Sequence, residues 1–130
     1  MKIMSRASDS RINSSNLYVE TTFGTYLSFA NAIIKNNDLQ RKRVKASKTV
    51  YSLLKEDLKK GCIMPPLVLA IMERGVIDKE RVQGPELLAY IQNHTNEVLI
   101  LDGLQRTYTL LDAAAEMEKE GEEEYKKFLA

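Results

Sequence analysis

The chain has 130 residues, of which 44% are apolar, and this length and composition are typical of one domain with a modest core. A single cysteine and a single histidine exclude an intrachain disulfide and a zinc site made of Cys and His ligands. The longest apolar stretch, Ile63 to Met72, is interrupted by Pro65-Pro66 and is shorter than the roughly 18 to 20 residues that span a bilayer. We therefore predict a cytoplasmic protein without a membrane-spanning segment.

Charge is distributed unevenly along the chain. Residues 1–60 carry 12 Lys or Arg and 5 Asp or Glu, whereas residues 61–130 carry 7 and 13. The basic half contains a dense cluster that consists of Arg41, Lys42, Arg43, Lys45 and Lys48. Such a cluster can neutralise phosphates along a nucleic-acid backbone, independently of base sequence. Basic clusters are also common in solvated loops, so the sequence leaves both roles open.

The N-terminal part begins with a polar segment. Residues 1–16 are rich in Ser, Asn, Arg and Asp, which predicts a flexible N-terminal arm followed by one domain over residues 17–130. A short strand is expected over 17–22 and a helix over 25–35. The buried face of that helix is predicted to consist of Tyr26, Phe29, Ala30 and Ile33.

The middle of the chain alternates between helical and extended patterns. A helix is predicted over 47–60, with Ser47 as N-cap and Gly61 after its end. The continuous apolar runs at 67–72 and 97–101 predict strands that are buried on both faces. A short helix is expected to open at Gly84-Pro85, between these strands.

The last part of the chain follows the second apolar run. An amphipathic helix is predicted over 104–117, and residues 122–127 place acids before bases in the order that favours a solvated helix. The buried face of the first of these helices is predicted to contain Leu104, Tyr108, Leu111 and Ala115. Together the elements predict an α/β domain, with a small mixed sheet flanked by helices. Because no further strand follows, we expect the chain to be the beginning of a longer protein and the domain to be truncated.

The junction between the second strand and its helix is the candidate site. A strand that turns directly into a helix exposes the unpaired N–H groups and the positive dipole end of that helix, and these attract anions. Gly103 leaves room for close approach, and Arg106 can present a bidentate fork to phosphate. Gln105 and Thr107 add neutral hydrogen-bonding groups. Alternatively, Asp102 and Gln105 have the spacing of a capping box that stabilises a helix without any ligand.

The sequence around this junction also resembles a known motif. The segment Leu99-Ile100-Leu101-Asp102-Gly103-Leu104-Gln105-Arg106-Thr107 resembles the Asp-Gly-Gln-His-Arg signature of DGQHR-domain (DndB-like) proteins and the Asp-Gly-Gln-Gln-Arg segment of GmrSD-type restriction proteins. Both belong to the ParB/sulfiredoxin-like superfamily. Upstream, the helix at 47–60 and the segment from Ile63 to Leu69 resemble the helix and strand that precede the signature in that family. Leu104 departs from the pattern, because it stands where the signature has a polar Gln.

The resemblance implies a ParB/sulfiredoxin-like fold and a nucleic-acid-associated function in bacterial DNA modification or phage defence. It implies that Gly103 and Arg106 lie beside the phosphates of DNA or of a nucleotide, and that Asp102 serves metal or catalytic chemistry. One alternative is a nucleotide-dependent hydrolase or nuclease in which Asp102 holds Mg²⁺ near a nucleoside triphosphate. Another alternative is a non-catalytic interaction module whose motif only stabilises a helix.

Three further features are interpreted as structural. Cys62 is expected to be an ordinary buried, small apolar residue, and His94 to lie in a turn without a catalytic partner. The acidic residues between Glu116 and Glu124 are expected to form a solvated face rather than a metal site.

Overall fold

The computed structural model of the protein describes residues 1–36, 52–72 and 77–130. The described part has an α/β fold, as predicted, with five α-helices and four strands. The elements in chain order are β1 (Lys2–Asp9), β2 (Ser14–Glu20), α1 (Phe23–Lys35), α2 (Ser52–Lys59), β3 (Val68–Ile71), α3 (Gly84–Asn93), a 3₁₀ turn (Thr95–Glu97), β4 (Val98–Asp102), α4 (Leu104–Glu120) and α5 (Glu122–Leu129). None of the helices in these three stretches is long and apolar enough to span a membrane.

The first 20 residues form a β-hairpin. β1 and β2 pair antiparallel, from Lys2 opposite Glu20 to Asp9 opposite Ser14. The expectation of an arm without regular structure over residues 1–16 was therefore wrong. The hairpin is held by backbone acceptors that composition does not reveal: Arg6 donates to the carbonyl oxygens of Lys79, at 3.2 Å, and of Val82.

β3 and β4 form a second antiparallel pair, separate from the hairpin. Val98 and Ile100 of β4 are buried in the core. On the other face, Leu101 is 59% exposed and Met72, just after β3, is 63% exposed. The prediction that both strands are covered on both faces was wrong, because among the described residues the pair has the one-sided burial common in antiparallel sheets. The sequence predicted a single mixed sheet, whereas the described residues contain two separate antiparallel strand pairs.

α1 supplies much of the core. The predicted buried face of this helix is confirmed, with Ile34 added to it. The helix begins after Thr22, whose side-chain oxygen accepts from the backbone N–H of Thr25 at 3.1 Å, as an N-cap residue does. Its packing partners include β4 and α4, the two elements that meet at the strand-to-helix junction.

α4 is helical over Leu104–Glu120, but its buried face is rotated from the predicted one. Ala115 is exposed, whereas Thr107 and Thr109 are buried. Each threonine hydroxyl donates to a backbone carbonyl four residues earlier, at 2.9 Å. Because these polar groups are satisfied within the helix, the threonines can enter the core, which a pattern based on apolar residues does not anticipate.

α2 and α4 are joined by ion pairs. Lys55 Nζ lies 3.1 Å from Glu116 Oε1, and Lys59 Nζ lies 3.1 Å from Glu120 Oε1. The interpretation of this acidic run as a wholly solvated face was wrong for Glu116 and Glu120, which face the lysines of α2. Part of the charge asymmetry between the two halves of the chain is thus neutralised inside the molecule.

Candidate phosphate site at the junction of β4 and α4

A β-bulge determines how Asp102 is presented at the end of β4. The register pairs Leu69 with Ile100 but Val68 with Asp102, so Leu101 is the extra residue. By the two-residue alternation of a strand, Asp102 would share the buried face with Val98 and Ile100. The bulge re-aims it, and the Asp102 side chain is 70% exposed.

Gly103 connects the strand to the helix in a left-handed conformation, with φ of 102° and ψ of 19°. It is the N-cap residue of α4 and has no side chain with which to cap the helix. Asp102 is therefore not the N-cap residue that the predicted capping box with Gln105 requires. The helix starts one residue later than the box requires, because the left-handed glycine, and not Asp102, occupies the N-cap position.

The space beside Gly103 is filled by a neighbouring side chain. A Cβ atom built on Gly103 would overlap the Leu67 side chain and would lie 3.3 Å from an Arg106 guanidinium nitrogen. The sequence led us to expect that the missing side chain makes room for a ligand. In the structure the room is taken by Leu67, from the segment that leads into β3.

Arg106 is held in place by the same segment. Its Nη1 donates to the carbonyl oxygens of Pro65 at 3.0 Å and Pro66 at 3.1 Å, and its Nη2 lies 3.4 Å from Asp102 Oδ2. The Arg106 side chain is only 17% exposed. The guanidinium thus ties the Pro65-Pro66 segment to the junction, and its charge faces a carboxylate of the same chain.

Thr107 does not lie in the candidate site. It is fully buried, and its hydroxyl donates to the Gly103 carbonyl at 2.9 Å while Tyr26 Oη lies 2.7 Å away on the other side. The predicted phosphate-contacting role of Thr107 is contradicted, because its hydroxyl is used inside the core. Burial raises the pKa of Tyr26, an effect that the hydrogen bond with Thr107 and the charge of Arg106 partly oppose.

The structure brings together three of the predicted site residues, namely Asp102, Gly103 and Arg106. Gln105 lies half-buried in the first turn of α4. The basic cluster that was predicted to contact a nucleic-acid backbone, Arg41, Lys42, Arg43, Lys45 and Lys48, lies outside the described residues.

The residues at the junction do not fit a metal site. In residues 1–36, 52–72 and 77–130, no group of three or more His, Cys, Asp or Glu side chains is placed to hold a metal ion. Asp102 stands beside the cationic Arg106, and a divalent cation there would be repelled by the guanidinium. The expected role of Asp102 as an Mg²⁺ ligand has no support from this arrangement.

No family model, curated protein or solved structure matches this chain. The junction must therefore be interpreted from its own geometry. A fixed guanidinium beside the N-terminus of a helix can bind an anion if the exposed carboxylate of Asp102 moves aside.

Three residues have contacts at the junction that were not expected from the sequence. Tyr26 was assigned to the core only by its helical spacing, although its hydroxyl contacts Thr107. Pro65 and Pro66 were regarded as helix breakers, and their carbonyls hold Arg106. A consecutive proline pair has no N–H groups but keeps its carbonyls, so it could have suggested a segment that accepts hydrogen bonds from a distant donor.

His94 lies between α3 and the 3₁₀ turn, where the sequence predicted a turn, whereas Cys62 is less buried than predicted. The His94 ring stacks on Tyr90, with 4.1 Å between ring centroids, and its Nδ1 lies 2.9 Å from the Tyr90 carbonyl oxygen. Cys62 is half-buried, and burial raises the pKa of its thiol, which disfavours the reactive thiolate.

Proposed function

We propose that this chain is a nucleic-acid-associated domain of the DGQHR or ParB-like type, acting in bacterial DNA modification or phage defence, and that it binds a backbone phosphate at the junction of β4 and α4. The observation that supports it best is the position of Arg106. Arg106 lies in the first turn of α4, and its guanidinium is fixed by the carbonyl oxygens of Pro65 and Pro66.

This arrangement favours a phosphate for electrostatic and geometric reasons. A guanidinium held by neutral carbonyls keeps its full charge, and its Nη2, which faces Asp102 and not these carbonyls, can donate to a phosphate oxygen. The backbone N–H groups at the start of a helix add partial positive charge at the same corner. An ion pair with an exposed carboxylate contributes only about 0 to 1 kcal/mol, so a phosphate can replace Asp102 at little cost.

A binding function requires less of the site than a hydrolytic one does. Phosphate binding needs a cation and donors, which the junction contains. Metal-assisted hydrolysis needs several grouped ligands, and the described stretches contain no such group. We therefore propose binding rather than hydrolysis, with nucleic acid as the first ligand and a nucleoside triphosphate as an alternative source of the same phosphate.

Duplex DNA binding measured by fluorescence anisotropy across a salt series tests the proposal. We expect log K to fall linearly with log salt, because each phosphate contact releases counterions. The Arg106→Gln variant should bind more weakly, with a slope smaller by about 1. The matched control is Arg81→Gln, since Arg81 is 88% exposed in its pair with Asp78 and lies outside the junction.

Competition with unlabelled nucleoside triphosphate identifies the source of the phosphate. Displacement of DNA by a nucleotide at low concentration would favour the nucleotide as ligand. If the wild-type chain shows no salt-dependent binding, or if Arg106→Gln behaves like Arg81→Gln, the proposal is wrong. Circular dichroism of each variant establishes that it remains folded.

A further inference from the structure

We infer that Asp102 is an intramolecular competitor for the phosphate that Arg106 binds, so that the junction is partly self-inhibited. This inference rests on the proposed function and concerns the regulation of the same site. The motif suggests that Asp102 serves metal or catalytic chemistry, whereas this inference gives it an inhibitory role. Removing the charge of Asp102 should then strengthen binding.

The two partners of the ion pair are held very differently. Arg106 is 17% exposed and is fixed by two carbonyl oxygens, whereas the Asp102 side chain is 70% exposed. An exposed carboxylate can rotate away from its partner with little loss of packing. The cation therefore stays in place while the carboxylate is free to exchange with another anion.

The contact between them is also loose. The distance of 3.4 Å between Arg106 Nη2 and Asp102 Oδ2 exceeds the roughly 2.7 to 2.9 Å of a good charge-assisted hydrogen bond. Nη1 is used by the carbonyls of Pro65 and Pro66. Asp102 therefore contacts Nη2, the other terminal nitrogen of the Arg106 guanidinium.

The bulge at Leu101 makes this competition a built feature of the junction. In a regular strand, with no bulge at Leu101, Asp102 would lie on the same buried face as Val98 and Ile100. With the bulge, the carboxylate is turned outward and placed against the guanidinium at the strand end. A phosphate that binds Arg106 must approach the negative carboxylate of Asp102 and displace it. Both the repulsion and the displacement weaken phosphate binding.

The test compares the Asp102→Asn variant with Glu118→Gln, which removes the same charge from an exposed position of α4 far from the junction. Affinity for a duplex DNA is measured by anisotropy at low salt. We expect Asp102→Asn to bind about 3- to 10-fold more tightly than Glu118→Gln, since one nearby repulsive charge is removed. The gain should disappear when Arg106→Gln is added to Asp102→Asn, because the cation that gains access is then absent.

The outcomes separate this inference from the proposed function. Arg106-dependent DNA binding, with an Asp102→Asn affinity equal to or weaker than that of Glu118→Gln, overturns the inference and leaves the proposed function standing. Absence of binding in the wild type and in Asp102→Asn overturns both. A gain in Asp102→Asn that persists without Arg106 shows a general charge effect and also overturns the competition.

Discussion

The hydroxyl of Tyr26 donates its proton to Thr107 Oγ1 across 2.7 Å inside the core. The direction follows from Thr107, whose own proton goes to the Gly103 carbonyl at 2.9 Å. A chain of two hydrogen bonds thus links α1 to the residue that connects β4 with α4. This connection joins the core to the candidate site. A change at Tyr26 should therefore alter the free energy of unfolding, and it should not remove a contact with a ligand.

Replacing Tyr26 by Phe should lower the free energy of unfolding by about 1 kcal/mol, the net value of a buried hydrogen bond. Thr107 keeps its bond to Gly103, so the helix start should persist. Urea unfolding followed by circular dichroism measures the change. Tyr18→Phe is the control, because Tyr18 is 61% exposed and should be close to neutral. Equal effects of the two variants would contradict the buried bond.

Alkaline pH should weaken the fold through Tyr26. Its pKa is raised above the ordinary value of 10.0, mainly by burial, so the folded state favours the neutral phenol. A raised pKa contributes stability that is fully present below the unfolded value and is lost as pH rises through the folded one. The stability of the wild type should therefore fall above about pH 10.

The comparison with Tyr26→Phe isolates this contribution, since Tyr108 also has a pKa raised by burial. The difference in unfolding free energy between wild type and Tyr26→Phe should shrink as pH rises above 10, because only the wild type must keep a buried phenol neutral. A difference that stays constant from pH 8 to pH 11 would argue against a perturbed Tyr26.

The sequence predicted the strands and helices more accurately than the contacts between them. The apolar runs at 67–72 and 97–101 predicted β3 and β4, because continuous β-branched and aliphatic residues have few alternatives. It failed at residues 1–16, where backbone pairing and the contacts of Arg6 stabilise a polar hairpin. The α/β class could therefore be predicted, whereas the pairing of the strands depended on contacts between residues far apart in the chain.

The position of the strand-to-helix junction was predicted from the sequence, but its geometry was not. Gly103 and Arg106 were located correctly at the junction, because the change from a strand to a helical pattern is visible in the sequence. The orientation of Asp102 depends on a one-residue bulge, and the covering of Gly103 depends on Leu67, which lies 36 positions earlier. Neither feature has a local signal, so an open anion cradle was expected where the structure has an internal ion pair.

Gly103→Ala should destabilise the fold more than Gly61→Ala. Both glycines have positive φ, 102° and 94°, so each substitution carries the left-handed penalty of about 1 kcal/mol. Among residues 1–36, 52–72 and 77–130, a Cβ at Gly61 meets nothing within 4 Å, whereas one at Gly103 overlaps Leu67. The excess cost at Gly103 measures that overlap, and chemical unfolding of both variants gives it directly.

A double-variant cycle tests the cause of the excess. Leu67→Ala removes the overlapping atoms, so Gly103→Ala should cost less in the Leu67→Ala background than in the wild type. Additive effects of the two substitutions would mean that the strain at Gly103 comes from the backbone alone.

Lys59→Met should lower the midpoint of thermal unfolding, whereas Lys126→Met should leave it nearly unchanged. Lys59 Nζ lies 3.1 Å from Glu120 and 3.9 Å from Glu116 with a side chain that is 17% exposed, while Lys126 pairs with Glu122 on a surface where its side chain is 73% exposed. The hydrogen bond to Glu120 is the main reason that the pKa of Lys59 is raised. Networks that are partly shielded from water contribute more than isolated exposed pairs do.

Met keeps the apolar stem of Lys, so the difference between the two variants reports the contribution of the charge. This difference should diminish in 1 M salt, because the screening length falls to about 3 Å. A Lys59→Met effect that is independent of salt would instead indicate lost packing between α2 and α4.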